Sequence, residues 1–332
     1  MKLKINRNVC KIAVLLIAAA ALIVLFFSLL SRWETRHGTV DTAGTDVPDD
    51  GRIYVDGTSY VPNKNLEVIL LIGVDKYESQ TQDESYNNTQ QADFLMLLLM
   101  DKEAETYSVL HLNRDTMTEI PVLGVRGEKA GTITGQIALA HTYGSGGLDS
   151  CRNTAEAVSN LLYGIEIDHY LAFTMDAVAK INDLVGGVTL TVLDDLTSAS
   201  PKLYPGATVT LDGEMALAYV RTRYGLEDSS NLRRMERQRQ YLTALQSALT
   251  AKAADQEDFM INALETVSPY MTSDCTADQL SRLYDRLVLY TDSGIQSMEG
   301  EAVKGEEFME FYPDEAALKQ QVVQLFYVPL EE

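Results

Sequence analysis

The chain has 332 residues, 46% of them hydrophobic, and a formal charge of −21, which allows one large domain or two modest ones with a sizeable core. After Arg36 the acidic excess deepens to 21 Lys and Arg against 47 Asp and Glu, and such a body repels nucleic acid. Its three cysteines lie far apart, with no CxxC or Cys/His spacing that would hold zinc. Cys151 and Cys275 could pair, but free buried thiols are the preferred reading.

Residues 12–30, IAVLLIAAAALIVLFFSLL, carry no charge and are long enough to span a bilayer. The run passes into Ser31-Arg32-Trp33-Glu34 rather than a small-x-small cleavage site, which predicts a retained signal anchor. Lys2, Lys4, Arg7 and Lys11 precede it, so the positive-inside bias places the N-terminus in the cytoplasm and the body outside the cell. The segment up to residue 63, rich in Thr, Gly, Asp and Pro, reads as a stalk.

Leu66 to Asp75 is too apolar for a half-exposed strand and predicts one buried on both faces, with Asp75 at its carboxyl end, where open α/β sheets bind ligands. Phe94–Met100 and Tyr107–Leu112 predict a hairpin across a charged turn, which makes Asp93 and Asn113-Arg114-Asp115-Thr116 neighbours. Gly144 to Gly147 lack the ending of a P-loop and read as a plain turn into a helix from Asp149 or Ser150 to Tyr163. His169 to Val192 has the pattern of a βαβ unit, and Gly213 opens a short helix. Further helices are expected around 277–289 and over 314–326.

Between Arg221 and Leu242 stand six arginines and no lysine. Arginine's planar fork grips phosphate oxygens in pairs, so the cluster points either to a shaped anion site or to a solvated basic helix face. Arg221 and Arg223, read as extended chain, project from one face. A helix capped by Ser229 or Ser230 then runs to about Ala251, with Gln238 inside its apolar stripe, Arg234 at the border, and Arg233 and Glu236 facing away. Hydrolase signatures such as GxSxG and HExxH are absent, and the four histidines have no ligand spacing. The remaining equipment, Asp75, Asp93, Arg114 and the arginine cluster, suits a divalent cation and a phosphate or pyrophosphate, although each aspartate alone also reads as a strand-end cap.

In order, LLIGVD (70–75), ADFLMLLLMD (92–101), VLHLNRDT (109–116), LAHTYGSGG (139–147), GIEIDHYLAFTMDAVAKINDLVGGVTLTV (164–192), LDGEMALAYVRTR (211–223) and RRMERQRQYL (233–242) resemble the LytR-CpsA-Psr (LCP) family of membrane-anchored phosphotransferases. The resemblance covers about residues 66–245. It implies an α/β fold, an LCP-type three-layer domain with a mixed central sheet flanked by helices, plus one N-terminal transmembrane helix. The corresponding division is a cytoplasmic tail (1–11), an anchor (12–30), an extracellular stalk (31–63) and a catalytic domain (64–332), with a family-like core over about 66–250 and a helical completion over 251–332.

The implied activity is transfer of a glycopolymer, of teichoic acid or capsular polysaccharide type, from an undecaprenyl-pyrophosphate carrier to peptidoglycan at the cell membrane, using Mg²⁺ or Mn²⁺. Alternative readings are a polyprenyl-pyrophosphate hydrolase and a non-catalytic anchored binder of anionic polymer or lipid. Carried over by position, Asp75 and Asp93 match the metal-associated aspartates, and Asp75, Asp93, Arg114, Arg221 and Arg234 the catalytic set. Arg114, Arg221, Arg223, Arg234, Arg237 and Gln238 match the pyrophosphate-binding residues. The chain departs from the family pattern at Gln91, where arginine is common, at Asn113, where proline is, and at Asn231, where an aspartate often precedes the helix. The family's lipid tail lies in an apolar tunnel.

Overall fold

The computed structural model describes residues 51–330, apart from positions 56, 76–89, 125, 223–230, 257 and 307. In chain order the strands are β1 (Ile53–Val55), β2 (Thr58–Pro62), β3 (Leu66–Val74), β4 (Ala92–Asp101), β5 (Thr106–Leu112), β6 (Met117–Leu123), β7 (Lys129–Gln136), β8 (His169–Thr174), β9 (Val188–Thr191), β10 (Thr208–Leu211), β11 (Met271–Ser273), β12 (Thr291–Ser297), β13 (Gly300–Lys304), β14 (Met309–Pro313) and β15 (Tyr327–Pro329). The helices are α1 (Gly147–Leu161), α2 (Asp176–Leu184), α3 (Gly213–Arg221), α4 (Asn231–Asp255), α5 (Phe259–Val267), α6 (Ala277–Leu289) and α7 (Glu315–Phe326).

Six strands form the central sheet in the order β11-β8-β3-β4-β5-β12. β3 runs parallel to β8 and β5 parallel to β12, while β3/β4, β4/β5 and β8/β11 are antiparallel, so the sheet is mixed. Alternate side chains explain its two packed faces. Leu70, Ile72, Leu95, Leu97 and Leu110 point to one face, where α1 and α7 cover them through Val158 and Val322. Ile69, Leu98, Met100 and Leu171 point to the other, beneath Leu283 of α6. A central leucine such as Leu97, fully buried, would cost about 2–5 kcal/mol on truncation to alanine. Beside the sheet, α3 and α4 pack with the β9/β10 hairpin through Tyr219, Tyr241, Leu190 and Leu211.

Several boundaries differ from expectation. Residues 53–62, read as stalk, are two strands of a three-stranded sheet closed by β15, with Ile53 in the core and Gly57 supplying the positive φ (+79°) of the connecting turn. The helix expected to reach Tyr163 ends at Leu161, because Tyr163 and Gly164 adopt positive φ and Gly164 N–H bonds back to the Ser159 carbonyl. Residues 251–332, expected to complete the fold with helices, also supply both edge strands of the central sheet and the β13/β14 hairpin. Among the described residues no helix is long and apolar enough to cross a membrane. The apolar run 12–30 and the 31–50 part of the stalk lie outside those residues, as do Arg223 and the expected Ser229/Ser230 cap.

Candidate functional site

The ends of three strands build the centre. Val74 pairs with Ala92 and Leu95 with Leu112, so the end of β3, the start of β4 and the loop after β5 meet at one margin of the sheet. Close approach there depends on Gly73, since a Cβ at that position would stand 2.9 Å from the Phe94 Cβ. Asp93 is buried, and its Oδ1 accepts from Arg114 Nη1 and from Arg234 Nη1, the latter at 3.3 Å. Arg234 also donates through Nη2 to the Asp93 carbonyl at 3.2 Å. Arg114 donates its Nη2 to Gln91 Oε1 and approaches Asp115 Oδ1 with Nε at 3.4 Å. Asp75 joins through one carboxylate oxygen, which accepts the Gln91 backbone N–H at 3.1 Å. Burial, and next the charge of Asp93, raise the Asp75 pKa above its ordinary value.

Both buried arginines are therefore pre-oriented by carboxylates. Gln91, which the sequence comparison marks as a departure from arginine, acts here as an acceptor, a role a guanidinium could not fill. The other two departures meet: Asn231 Nδ2 donates to Asn113 Oδ1 at 2.9 Å, joining the start of α4 to the Asn113–Thr116 loop. The C-terminal hairpin braces that loop from outside. Thr116 bridges to Phe311, the Phe311 N–H donates to the Asp115 carbonyl at 2.9 Å, and Gln136 Nε2 donates to the Met309 carbonyl at 2.6 Å.

The remaining arginines divide differently from the sequence reading. Arg221 is the exposed last residue of α3, not part of an extended strand. The reason is local: Asp212 caps the helix by accepting the Met215 N–H at 2.8 Å, and Met215, Ala216, Tyr219 and Val220 form a stripe of helical period. Arg237, assigned by resemblance to the pyrophosphate, is fully buried with its fork already occupied: Nε donates to the Tyr219 carbonyl at 2.9 Å, Nη2 to the Thr222 carbonyl and Nη1 to Asp194 Oδ2 at 2.7 Å. Gln238 donates Nε2 to the Val220 carbonyl at 3.1 Å. These two side chains thus hold the carbonyl end of α3, where a helix leaves acceptors and a negative dipole end. Arg233 does not point freely outward, because Asp194 receives its Nε at 3.2 Å and its Nη2, and Glu236 receives its Nη1. Asp194, which anchors both Arg233 and Arg237, carried no sequence signal beyond being an acidic residue in a loop.

The histidine packed against this centre is held in its neutral form. His111, buried on β5, is pushed down to about 3 by burial and by the charges of Arg239 and Arg234. Among the described residues, His169, Asp274 and Cys275 also bring three ligand-type atoms within 4.8 Å of one another. There the Gln279 amide donates to His169 Nε2 at 3.1 Å, so Nδ1 carries the ring proton toward Asp274 Oδ2, and burial pushes the Cys275 thiol up to about 11. Within the group His169 faces Asp274, while its other ring nitrogen is taken by Gln279 and the Cys275 thiol lies by Ser273. Cys151 and Cys275 are both free thiols.

At the aspartates the donor set suits a hard cation. Two arginines face Asp75, Asp93 and Asp115, so a diphosphate entering alone would meet no net positive charge, and a divalent cation held by these carboxylates would supply it.

A model of the LytR_cpsA_psr family matches residues 38–325. The chain is 26% identical over 223 residues to the polyisoprenyl-teichoic acid–peptidoglycan teichoic acid transferase TagU of Enterococcus faecalis, covering 67% of this chain and 65% of that protein. It is 30% identical over 194 residues to the like-named transferase TagT of Bacillus subtilis, covering 55% and 53% respectively. The crystal structure of B. subtilis TagV has the same fold, with a TM-score of 0.59 at 23% identity over 79% of this chain and 96% of that one. The chain therefore spans between half and two thirds of the length of these two curated relatives.

Proposed function

The chain belongs to the LytR_cpsA_psr family, and from that membership and its arginine–aspartate centre we propose that it transfers a glycopolymer from a polyprenyl-pyrophosphate carrier to a hydroxyl of peptidoglycan. The observation that carries the reading is the Asp93 carboxylate gripped by Arg114 and Arg234 from two distant segments, beside a second carboxylate of raised pKa. The names of the relatives, teichoic acid transferases, support the substrate class. We place residues 12–30 in the cytoplasmic membrane as an anchor, with the folded body outside the cell.

In the proposed reaction the oxygen of an acceptor hydroxyl bonds to the sugar-side phosphorus, the bond from that phosphorus to the bridging oxygen breaks, and polyprenyl phosphate leaves with the electron pair. Arg234 and Arg114, oriented by Asp93 and Gln91, present positive charge to the developing leaving group by exchanging part of their bonding for a phosphate oxygen. Arg221 stands exposed at the end of α3, and we assign it to an entering diphosphate. Asp75 and Asp93 are the residues that would hold Mg²⁺ or Mn²⁺, which supplies charge neutralisation when bound. The hydroxyl proton passes to Asp75, the carboxylate of the pair that no arginine ties by a hydrogen bond. We assign the carrier's lipid to the face of the sheet where Leu71, Phe173 and Met271, on β3, β8 and β11, are only partly buried.

The test is turnover of a synthetic polyprenyl-pyrophosphate sugar with and without soluble glycan strands. Product appearing on the glycan supports transfer. Release of sugar phosphate to water at the same rate with and without glycan means a hydrolase, and no turnover in either condition means a binder.

A further inference from the structure

A cavity lies across α4 from the Asp93 centre. It has a volume of about 430 Å³ and opens between the first half of α4, the end of β12 and the β14 strand, within the roughly 300–1,000 Å³ of small-ligand sites. Its floor is apolar, from Ile295, Met298 and Phe311, and its rim carries Arg239, Ser297 and Glu236. An apolar floor with a few directed polar groups is what a sugar ring needs, since the ring has hydrocarbon faces and a hydroxylated edge. Arg239 commits only Nη1, to Ser297 Oγ at 2.6 Å, among the hydrogen bonds of the described residues. Its remaining edge can therefore serve a hydroxyl or an acidic substituent of the sugar.

Position decides which sugar. Arg234 and Arg239 are five residues apart on α4, about 140° round the helix at roughly 100° per residue, so one faces Asp93 and the other faces the cavity. Asn113 lines the cavity and immediately precedes Arg114, so the two sites share a wall. In the sheet order β11-β8-β3-β4-β5-β12, the partly buried apolar wall lies over β3, β8 and β11, whereas the cavity lies at the β12 margin. On the transfer reading above, the polyprenyl phosphate leaves toward the first side, and an in-line displacement requires the attacking hydroxyl to arrive from the second. We propose that this cavity is the subsite for the acceptor saccharide, with Arg239 as its principal polar contact. The inference rests on that reading. It also gives the C-terminal segment a function, because Ile295, Ser297, Met298 and Phe311 all come from it.

The experiment uses the full chain in detergent, a synthetic polyprenyl-pyrophosphate N-acetylhexosamine as donor, and soluble uncrosslinked glycan strands as acceptor. Arg239→Gln removes the fork at a half-exposed position, and Ile295→Trp fills the cavity from its floor. Arg152→Gln, exposed on α1 beside Asp149, is the control. Both cavity variants should raise the acceptor KM by at least about tenfold and leave the donor KM within twofold, with the control unchanged in both. An acceptor KM within twofold of the unaltered chain, or a rise confined to the donor KM, overturns the proposal while leaving transfer standing. Binding of glycan strands without donor, followed by NMR, separates the two readings. Binding lost in Arg239→Gln supports the subsite even if the unaltered chain turns over no donor, and binding equal in both overturns it.

Discussion

Asp75 and Asp93 are both buried enough to matter, yet the structure gives their charges opposite signs of effect on stability. Asp93 is shared by two guanidiniums whose side chains are 6% and 3% exposed. Removing one partner of a buried pair costs about 3–5 kcal/mol. At roughly 2–4 °C per kcal/mol for a body of this size, Asp93→Asn should lower Tm by about 6–20 °C, toward the lower end if the amide oxygen keeps one of the contacts. Asp75 is different because its folded pKa lies above its unfolded value of 3.8. For such a carboxylate the ionised form is penalised, so the penalty is full at neutral pH and is relieved as pH falls through the folded pKa. Asp75→Asn should therefore leave Tm at pH 7 equal or higher, while cutting transfer at least tenfold through loss of the base and of a cation ligand. The two variants are compared by thermal circular dichroism in chelator-containing buffer, with transfer measured separately in Mg²⁺. An unchanged Tm for Asp93→Asn, or an equal fall for Asp75→Asn, would refute this division of roles.

Arg237→Lys should cost about 2–4 kcal/mol, because it abandons the Tyr219 and Thr222 carbonyls, whereas Arg233→Lys, with a side chain 39% exposed, should cost under about 1 kcal/mol in urea unfolding. Arg286→Ala should lose about 1–2 kcal/mol at pH 7, solvent screening having reduced the roughly 3 kcal/mol of the full shift, since Arg286 holds Glu67 down at about 2. That contribution is complete above pH 4.5 and disappears as pH falls toward 2, so the two proteins should converge in acid. Cys151, raised to about 12 by burial, should react with a thiol reagent only on unfolding; fast native labelling would contradict its place on the buried face of α1. External protease on intact cells should remove the folded body and spare the anchor, and full protection of the body would refute the proposed topology.

The strands were legible because their signal is local: an unbroken apolar run fits a strand covered on both faces, and the charged turn between Asp101 and Thr106 fixes the hairpin that brings Asp93 to Arg114. The C-terminal strands were not. β12 is Thr-Asp-Ser-Gly-Ile-Gln-Ser, with no apolar alternation over its first half, and it becomes a strand because β5 offers a free parallel edge. Likewise Ile53 and Val55 carry little pattern alone, and the sheet they enter by pairing with β2 is completed on the other edge of β2 by β15, at the far end of the chain.

The arginine helix marks where a periodicity argument stops. Stepping round α4 correctly separates the buried Arg234 and Gln238 from the half-exposed Arg233 and Glu236. It cannot separate Arg234 from Arg237, less than one turn apart and both buried. What distinguishes them is the surface opposite each: a carboxylate at the end of β4 for Arg234, and the carbonyl terminus of α3 with Asp194 for Arg237. A guanidinium facing a carboxylate beside a second, partly buried carboxylate can exchange part of its bonding for a phosphate oxygen without leaving either group unpaired. One that satisfies two backbone carbonyls cannot, because those acceptors would remain buried with no donor. Arg237 and Gln238 therefore fix the end of α3 that carries Arg221, and on the proposed reading they would set the position from which Arg221 meets the substrate.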